Sequence, residues 1–274
     1  MSAAAHRAAH QLLEAGRIFA DPLAVAILGQ PPAEVARNAE AEPIRRGMRL
    51  FIAARSQFAE SMLAAGVEGR GVRQLVVLGA GLDTFAYRNP FAGRLRVFEV
   101  DHPATQAWKR RRLSEAGIAL PEGLVFAPVD FERDRLLDGL TAAGFDPTLR
   151  TFFTWLGVTP YRTEAAVFAT LGVIGALPGG AEVVFDYSDP PATRSAEAQA
   201  LHAARAARVA AIGEPWLSHF EPATLHAQLG ALGFAAIEDL GPRALNPRYA
   251  LTTQAVPTDR GGHLLYAATP AAPG

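Results

Sequence analysis

Seven short apolar runs follow one another from residue 74 onward, and most of them are separated by segments with helical periodicity. The earlier runs are continuously apolar, which is typical of strands buried on both faces of a parallel sheet. Strands that alternate with helices indicate an α/β protein with a mostly parallel sheet. The predicted strands are residues 74–78, 96–100, 125–129, 151–155, 182–187, 235–239 and 263–267.

The last two predicted strands are joined differently from the others. Residues 240–262 separate them and show no obvious crossover helix. Parallel neighbours need a crossover, whereas antiparallel neighbours do not. We therefore predict that the sheet ends in an antiparallel pair, unlike an ordinary dinucleotide-binding fold.

The first 70 residues are predicted to be helical throughout. Asp21 and Pro22 indicate the start of one helix, and Gly29 indicates its end. A later helix carries an apolar stripe with intervals of three and four residues, and one charged residue lies in the middle of it. The stripe comprises Ile44, Met48, Phe51, Arg55, Phe58 and Met62.

Arg55 requires an explanation, because burying an unpaired charge costs much free energy. Its side chain must reach solvent, form an ion pair inside the protein or face an anionic ligand. The sequence of this helix leaves the ion pair and the ligand open. A further helix is predicted within residues 192–213, where it would either cap a site at the carboxyl edge of the sheet or fill an ordinary crossover on the surface.

A glycine turn, Gly79-Ala80-Gly81, follows the first predicted strand, where α/β sheets bind ligands. Two neighbours argue against a dinucleotide. Thr84 stands where such a site has its third glycine, and Asp83 would oppose a pyrophosphate at the start of the next helix. Asp83 would instead cap that helix from Thr84 onward. Alone, the two glycines are equally compatible with a simple tight turn.

Acidic residues end the second and third strands. Glu99 and Asp101 lie 20 and 22 residues after Gly79, a spacing at which carboxylates accept hydrogen bonds from ribose hydroxyl groups. Asp101 has an alternative role as the cap of the following helix. Asp130 is placed to bond an adenine amino group, and Phe131 to cover the ring. Two neighbouring strand ends with carboxylates indicate a nucleoside site.

The composition narrows the function classes. The chain has 274 residues, a formal net charge of -1 and no cysteine, which excludes disulfides, thiolate metal sites and cysteine nucleophiles. The near-neutral charge gives no reason to expect nucleic acids or membranes as partners. The basic run 109–112 is interpreted as a solvated helix face. No histidine spacing indicates a metal, and we expect a cytoplasmic protein.

The segments "RQLVVLGAGLDTFAYR", "VFEVDHP", "VDF" and "TWLGVTPYRT" together resemble the bacterial S-adenosylmethionine-dependent methyltransferases related to leucine carboxyl methyltransferases, many of them polyketide O-methyltransferases of secondary metabolism. The resemblance extends to "AARSQFAE", "GEPWLSHFEP" and "LGFAAIEDLGP", and so covers nearly the whole chain. It implies a class I methyltransferase with a Rossmann-like seven-stranded sheet and an antiparallel last strand. Residues 1–70 would form a helical cap, in one compact unit with a methyltransferase domain of residues 71–274.

The resemblance also implies residue roles. Arg55 would pair with the methionine carboxylate of S-adenosylmethionine, Gly79 to Gly81 would surround the methionyl part, Asp101 would hold the ribose, and Asp130 with Phe131 would recognise adenine. The cofactor-binding candidates are therefore Arg55, Gly79, Ala80, Gly81, Asp83, Thr84, Glu99, Asp101, Asp130, Phe131 and Trp155. Related enzymes carry a glutamate near the end of the fourth strand, where this chain has Leu156, so that role does not transfer.

The chemistry of methyl transfer leaves the acceptor undefined. A carboxylate acceptor needs no base, whereas a hydroxyl acceptor benefits from one. Tyr161, Tyr187 and His219 are the candidates for the catalytic or substrate pocket. We expect an O-methyltransferase that acts on a small or medium-sized metabolite. The alternatives are a nucleotide-dependent oxidoreductase and a non-catalytic binding protein with this fold.

Overall fold

The computed structural model describes residues 2–131, 133–193, 195–211, 213, 215–256 and 258–270, and one seven-stranded sheet forms its centre. The strands are β1 (Gln74–Leu78), β2 (Arg96–Asp101), β3 (Leu124–Pro128), β4 (Thr151–Trp155), β5 (Ala181–Ser188), β6 (Ala236–Leu240) and β7 (Gly262–Ala268). They lie in the order β3-β2-β1-β4-β5-β7-β6. The order reverses between β1 and β4, which places the switch point beside the glycine turn.

The sheet confirms the predicted strands, whose ends shift by no more than one residue. β1 to β5 pair in parallel, whereas β7 runs antiparallel to both β5 and β6. The predicted antiparallel pair is therefore present. The segment between β6 and β7 nevertheless contains a helix, α10 (Pro242–Tyr249), that the sequence did not indicate. Its proline at the first position costs no hydrogen bond, and Leu245 anchors it in the core.

In the part of the chain that the structure describes, four α-helices precede the sheet and five lie among the strands before α10. The first four are α1 (Ala3–Leu13), α2 (Ala24–Leu28), α3 (Pro32–Glu40) and α4 (Arg46–Gly69). The next five are α5 (Pro103–Glu115), α6 (Leu136–Ala142), α7 (Glu164–Gly175), α8 (Ala196–Ala210) and α9 (Pro222–Ala231). Among the residues that the structure describes, no helix is both long and apolar enough to cross a membrane.

The two faces of the sheet pack against different helices. α6, α7 and α9 cover one face, where Phe153 belongs to the core. α4 and α10 cover the other face, where Phe152 belongs to the core. Successive residues of a strand point to opposite faces. Trp155 and Tyr187 consequently lie on the α7 and α9 face, whereas Asp186 lies beneath α4.

Asp21 joins the N-terminal helices to the glycine turn. Its side chain is fully buried and accepts hydrogen bonds from Arg7 Nε at 3.3 Å, from the Thr84 hydroxyl at 2.8 Å and from the Leu23 amide at 3.2 Å. Arg7 also donates to the carbonyl oxygen of Leu82 inside the turn. The connection between α1 and α2 is therefore fixed to the segment that follows β1.

We expect the Asp21→Asn substitution to lower the free energy of unfolding by about 3–5 kcal/mol, because it leaves the buried Arg7 guanidinium without its counter-ion. An asparagine would also turn its side-chain N–H toward one of the three groups that donate hydrogen bonds to Asp21, and that hydrogen bond would be lost. Urea denaturation at neutral pH measures the change. Glu115→Gln is the control, since that carboxylate is 59% exposed in its ion pair with Arg112 and should contribute little. Equal losses in the two variants would contradict the role of Asp21.

Candidate functional site

The glycine turn lies at the carboxyl ends of β1 and β2. Gly79 and Gly81 have φ angles of 67° and 44°, which other residues rarely adopt. A side chain at Gly79 would also place its Cβ 2.6 Å from a methyl group of Val158. The amides of Gly79 and Ala80 both donate to the carbonyl oxygen of Val100, at 2.9 and 3.1 Å. The turn is therefore tightly fixed between the ends of β2 and β4.

Asp101 stabilises this turn from the end of β2. One carboxylate oxygen accepts from the Gly81 amide at 2.6 Å, and the other accepts from the His102 amide at 2.7 Å. The cap of α5 is His102, whose Nδ1 accepts from the Ala104 amide. The structure therefore places Asp101 at the turn and assigns the capping role to its neighbour.

Thr84 and Asp83 follow the turn in a different way from a dinucleotide site. The Thr84 hydroxyl is buried against Asp21, so this residue anchors the N-terminal helices. Asp83 Oδ1 accepts from the Phe85 amide at 2.8 Å. The helix expected after Thr84 is a single 3-10 segment, Phe85–Arg88, rather than an α-helix whose start could face a pyrophosphate.

A cavity of about 170 Å³ lies beside the turn, between the N-terminal helices and the sheet. One wall is the glycine turn through Asp83, a second is the end of β4 at Leu156 to Val158, and a third comes from α1 and α4. The charged residues of the whole lining are Arg7, Arg55 and Asp83. The lining residues from α1 and α4 are Ala3, Ala4, Arg7, Arg55 and Ser56. The cavity can hold a group that carries both charge and apolar surface.

Arg55 forms the internal ion pair that its sequence position allowed, and it also lines the cavity. Its side chain is 9% exposed, and Nη1 lies 2.8 Å from Asp186 Oδ2 on β5. The same guanidinium lines the cavity. Gly157 completes this wall: it has a φ of 70°, and a Cβ there would lie 2.7 Å from Arg55 Nη2. Arg55 is thus an ion-pair partner that also faces the cavity.

His6 on α1 is buried among positive charges. The pKa of its imidazole is lowered to about 4, first by burial and then by positive charges that include those of Arg45, Arg49 and Arg55. His6 is 4% exposed, and its Nδ1 is a buried atom without a hydrogen-bond partner among the described residues. Because burial disfavours the charged imidazolium, His6 is neutral at neutral pH.

Glu99 serves the fold rather than the turn. It is 1% exposed and lies 2.6 Å from Lys109 Nζ, while the Tyr87 hydroxyl donates to it at 3.4 Å. Burial raises the pKa of the Glu99 carboxyl to about 7, against the opposing effect of Lys109. The interpretation of the basic run 109–112 as a solvated face is wrong for Lys109, which is 1% exposed. This residue supplies the counter-charge that a buried glutamate requires.

Asp130 and Phe131 lie at the end of β3, next to Asp101. The Val129 amide donates to the carbonyl oxygen of Asp101 at 3.0 Å, which joins the two strand ends. The Asp130 side chain is 24% exposed, and the Arg162 guanidinium lies 5.8 Å from the centre of the Phe131 ring. The ends of β3, β2, β1 and β4 therefore bring these candidates to one edge of the sheet.

Trp155 and Tyr187 lie on the opposite face from the cavity. Trp155 is buried in the core against α7. The Tyr187 hydroxyl donates to Asp239 Oδ2 at 2.5 Å, and its ring stacks on His263 with centroids 4.7 Å apart. The described lining of the cavity contains neither residue. Strand alternation turns Asp186 toward the cavity side instead of Tyr187, so the structure does not bring Trp155 and Tyr187 to this cavity.

Tyr161 and His219 lie beyond the ends of β4 and β5. Tyr161 ends the 3-10 segment Thr159–Tyr161 and is half-buried. His219 Nε2 lies 3.2 Å from Nε2 of His202, which belongs to α8. The Phe220 amide donates to the carbonyl oxygen of Ser188, so this segment is held at the end of β5. None of the residues of α8 is buried, which makes α8 a surface helix.

Three residues near the cavity were missed by sequence reasoning. Asp186 is a charged residue within an apolar strand, which is the same signal that identified Arg55. Gly157 follows a strand as Gly79 does, and Arg7 lies on the buried face of α1. Each becomes informative only when its partner is known, and the partner of Asp186 is 131 residues away.

Known proteins match more than half of this chain. The profile of the leucine carboxyl methyltransferase family matches residues 1–175. YktD of Bacillus subtilis, provisionally named an S-adenosyl-L-methionine-dependent methyltransferase, is 38% identical over 180 residues, which are 64% of this chain and 58% of that protein. A Saccharopolyspora erythraea protein with the same provisional name is 34% identical over 57% of this chain and 55% of its own length. The chain thus spans little more than half of these curated relatives.

A solved structure extends the likeness over the whole fold. A protein from Thermobifida fusca, provisionally named a methyltransferase, gives a TM-score of 0.57 at 16% identity, over 97% of this chain and 94% of that chain. At this identity the likeness concerns the fold alone. Together with the sheet order, it confirms the predicted Rossmann-like fold with its N-terminal helices.

We expect the protein to lose about 3 kcal/mol of stability through His6 as the pH falls from 6.5 to 4. The folded state keeps His6 neutral because its pKa is lowered to about 4, whereas the unfolded chain takes up the proton near pH 6.5. This contribution is present above pH 6.5 and is lost toward pH 4. Urea denaturation at pH 7 and pH 4.5 measures the loss, which should be much smaller in His6→Leu.

His102→Asn is the matched control for this experiment. His102 is exposed, and asparagine keeps an acceptor for the Ala104 amide. The pH dependence of this variant should match that of the unsubstituted protein. An unchanged pH dependence in His6→Leu would show that other groups cause the acid loss.

Proposed function

The chain belongs to the leucine carboxyl methyltransferase family, and we propose that it transfers the methyl group of S-adenosylmethionine to an oxygen atom of a small or medium-sized metabolite. The observation that carries the proposal is the cavity in which the Arg55 guanidinium faces the glycine turn. The provisional names of the curated relatives agree with this cofactor.

The residues present fit such a methyl donor. Arg55 offers N–H groups to a carboxylate, and Gly79 and Gly157 lack the side chains that would fill the space beside it. Asp101 keeps lone pairs for ribose hydroxyl groups after its two backbone contacts, since each carboxylate oxygen accepts more than one bond. Asp130 and Phe131 lie one strand further along the same edge, where an adenine would extend.

In this proposal the protein acts mainly by alignment. S-adenosylmethionine would supply a methyl group bonded to a positively charged sulfur atom. The acceptor oxygen would take this group as the carbon–sulfur bond breaks, and S-adenosylhomocysteine would leave. Arg55 would hold the methionine carboxylate of the donor and Asp101 its ribose, and the resulting orientation replaces a rare encounter by a prearranged one. Arg7 ties α1 to the carbonyl oxygen of Leu82, so α1 keeps water out of the cavity.

The acceptor is proposed to be a carboxylate or a hydroxyl group. The family name supports the carboxylate, which needs no base to become a nucleophile. Leu156 makes the end of β4 apolar. A carboxylate acceptor would therefore meet no repelling negative charge at this position. For a hydroxyl acceptor, Tyr161 and His219 remain the candidates for proton transfer. Residues 1–70 serve in this proposal as the helical cap of a domain formed by residues 71–274.

We expect S-adenosylhomocysteine, the reaction product, to raise the melting temperature, whereas NAD should not. Ligand at one hundred times its dissociation constant adds about 2.7 kcal/mol of stability, which thermal unfolding detects easily. NAD is the matched control because it shares the adenosine but carries a pyrophosphate. A larger shift with NAD would favour an oxidoreductase, and no shift with either would contradict the proposed donor.

The acceptor class can be read from the product. Protein incubated with S-adenosylmethionine labelled in its methyl group, and with carboxylates or phenols in separate reactions, should release labelled product. A label that is lost in mild base indicates a methyl ester, whereas a stable label indicates an ether. Binding of S-adenosylhomocysteine without transfer to either class would favour the non-catalytic alternative.

Two substitutions should distinguish the carboxylate contact of the donor from its ribose contact. Arg55→Met should weaken S-adenosylhomocysteine about tenfold to a hundredfold, since a charge-assisted hydrogen bond is worth about 1.5–3 kcal/mol, and leave adenosine unchanged. Asp101→Asn should weaken both ligands, because both contain the ribose. Isothermal titration calorimetry with the two ligands measures these affinities. Equal losses for both ligands in Arg55→Met would contradict the carboxylate contact.

A further inference from the structure

Asp186 connects two walls of the cavity without lining it. Its side chain is 8% exposed on β5, and Oδ2 lies 2.8 Å from Arg55 Nη1 on α4. Its other oxygen, Oδ1, accepts from the Gly157 amide just beyond β4. The described lining of the cavity includes Arg55 and Gly157 but not Asp186. One carboxylate therefore fixes the positions of two lining residues.

The pairing determines how Arg55 is presented. A guanidinium has five N–H donors in a rigid plane, so Asp186 can hold one nitrogen while the others stay available to a second carboxylate. A buried guanidinium without a counter-ion would be costly. Asp186 supplies that counter-ion and holds the orientation of the guanidinium. The donor groups of Arg55 are thus arranged before a ligand arrives, which lowers the entropy lost on binding.

We propose that Asp186 is a positioning residue that presents Arg55 to the carboxylate of the methyl donor and holds the backbone of Gly157 beside it. The inference rests on the proposed function, because that function places a carboxylate in the cavity. Both oxygens of Asp186 face N–H donors. An asparagine would turn its own N–H toward one of them, so charge and geometry are lost together.

Asp186→Asn should weaken S-adenosylhomocysteine at least tenfold and change adenosine by less than twofold, as measured by calorimetry. Gly157→Ala should give the same pattern, because its Cβ would displace the Arg55 guanidinium from 2.7 Å away. This second variant leaves Asp186 in place. It therefore tests the presentation of Arg55 even where Asp186→Asn does not fold.

Glu182→Gln is the matched control on the same strand. Glu182 is the other buried carboxylate of β5, and it pairs with Arg70 and Arg150 away from the cavity. Its neutralisation should lower the melting temperature and leave the ratio of the two affinities unchanged. A ratio that changes equally in Glu182→Gln and Asp186→Asn would overturn the proposal.

A double-mutant cycle separates positioning from direct contact. In the Arg55→Met background, Asp186→Asn should cause no further loss of affinity for S-adenosylhomocysteine. It should also raise the melting temperature, because it removes a buried carboxylate that has lost its arginine. A further loss of affinity, or equal losses for both ligands in Asp186→Asn, would overturn the proposal. If the unsubstituted protein binds adenosine but not S-adenosylhomocysteine, the proposed function fails first, and the role of Asp186 fails with it.

Discussion

A carboxylate that is buried away from water needs positive charge or hydrogen-bond donors beside it. In this protein the partners of buried carboxylates lie on different layers, and these contacts hold the layers together. Asp21 binds the N-terminal helices to the glycine turn through Arg7 and Thr84. Asp186 binds α4 to the ends of β4 and β5. Apolar packing alone would tolerate small displacements of a helix, whereas these directional contacts do not. The shape of the cavity follows from them, because its walls belong to the layers that they join.

The strands could be predicted from the sequence because each is a short apolar run with its own turn signals. The glycine turn and Asp101 could be predicted for a related reason, since a strand end and its turn are local in the chain. The structure brings both to the expected edge. Local patterns of this kind do not depend on which distant segment packs against them.

Residue roles that depend on a distant partner could not be predicted in the same way. Tyr187 and Asp186 are adjacent at the end of β5, and only the helices on each face decide which one meets Arg55. Lys109 belongs to a basic run, yet its side chain is buried in an ion pair with the carboxylate of Glu99. α10 was missed because a helix of eight residues with two prolines has little pattern of its own, and its stability comes from tertiary packing.

The residue at position 84 shows how fold and ligand choice are linked. A glycine there would let a helix pack closely on the strand and direct its N-terminus at a pyrophosphate. The Thr84 hydroxyl instead donates a hydrogen bond to Asp21, and the chain continues as a 3-10 segment. α1 lines the same cavity, and its Arg7 donates to the carbonyl oxygen of Leu82. The contact between Thr84 and Asp21 thus attaches the N-terminal helices where a dinucleotide site would have the N-terminus of an α-helix, and the absence of that terminus disfavours a pyrophosphate.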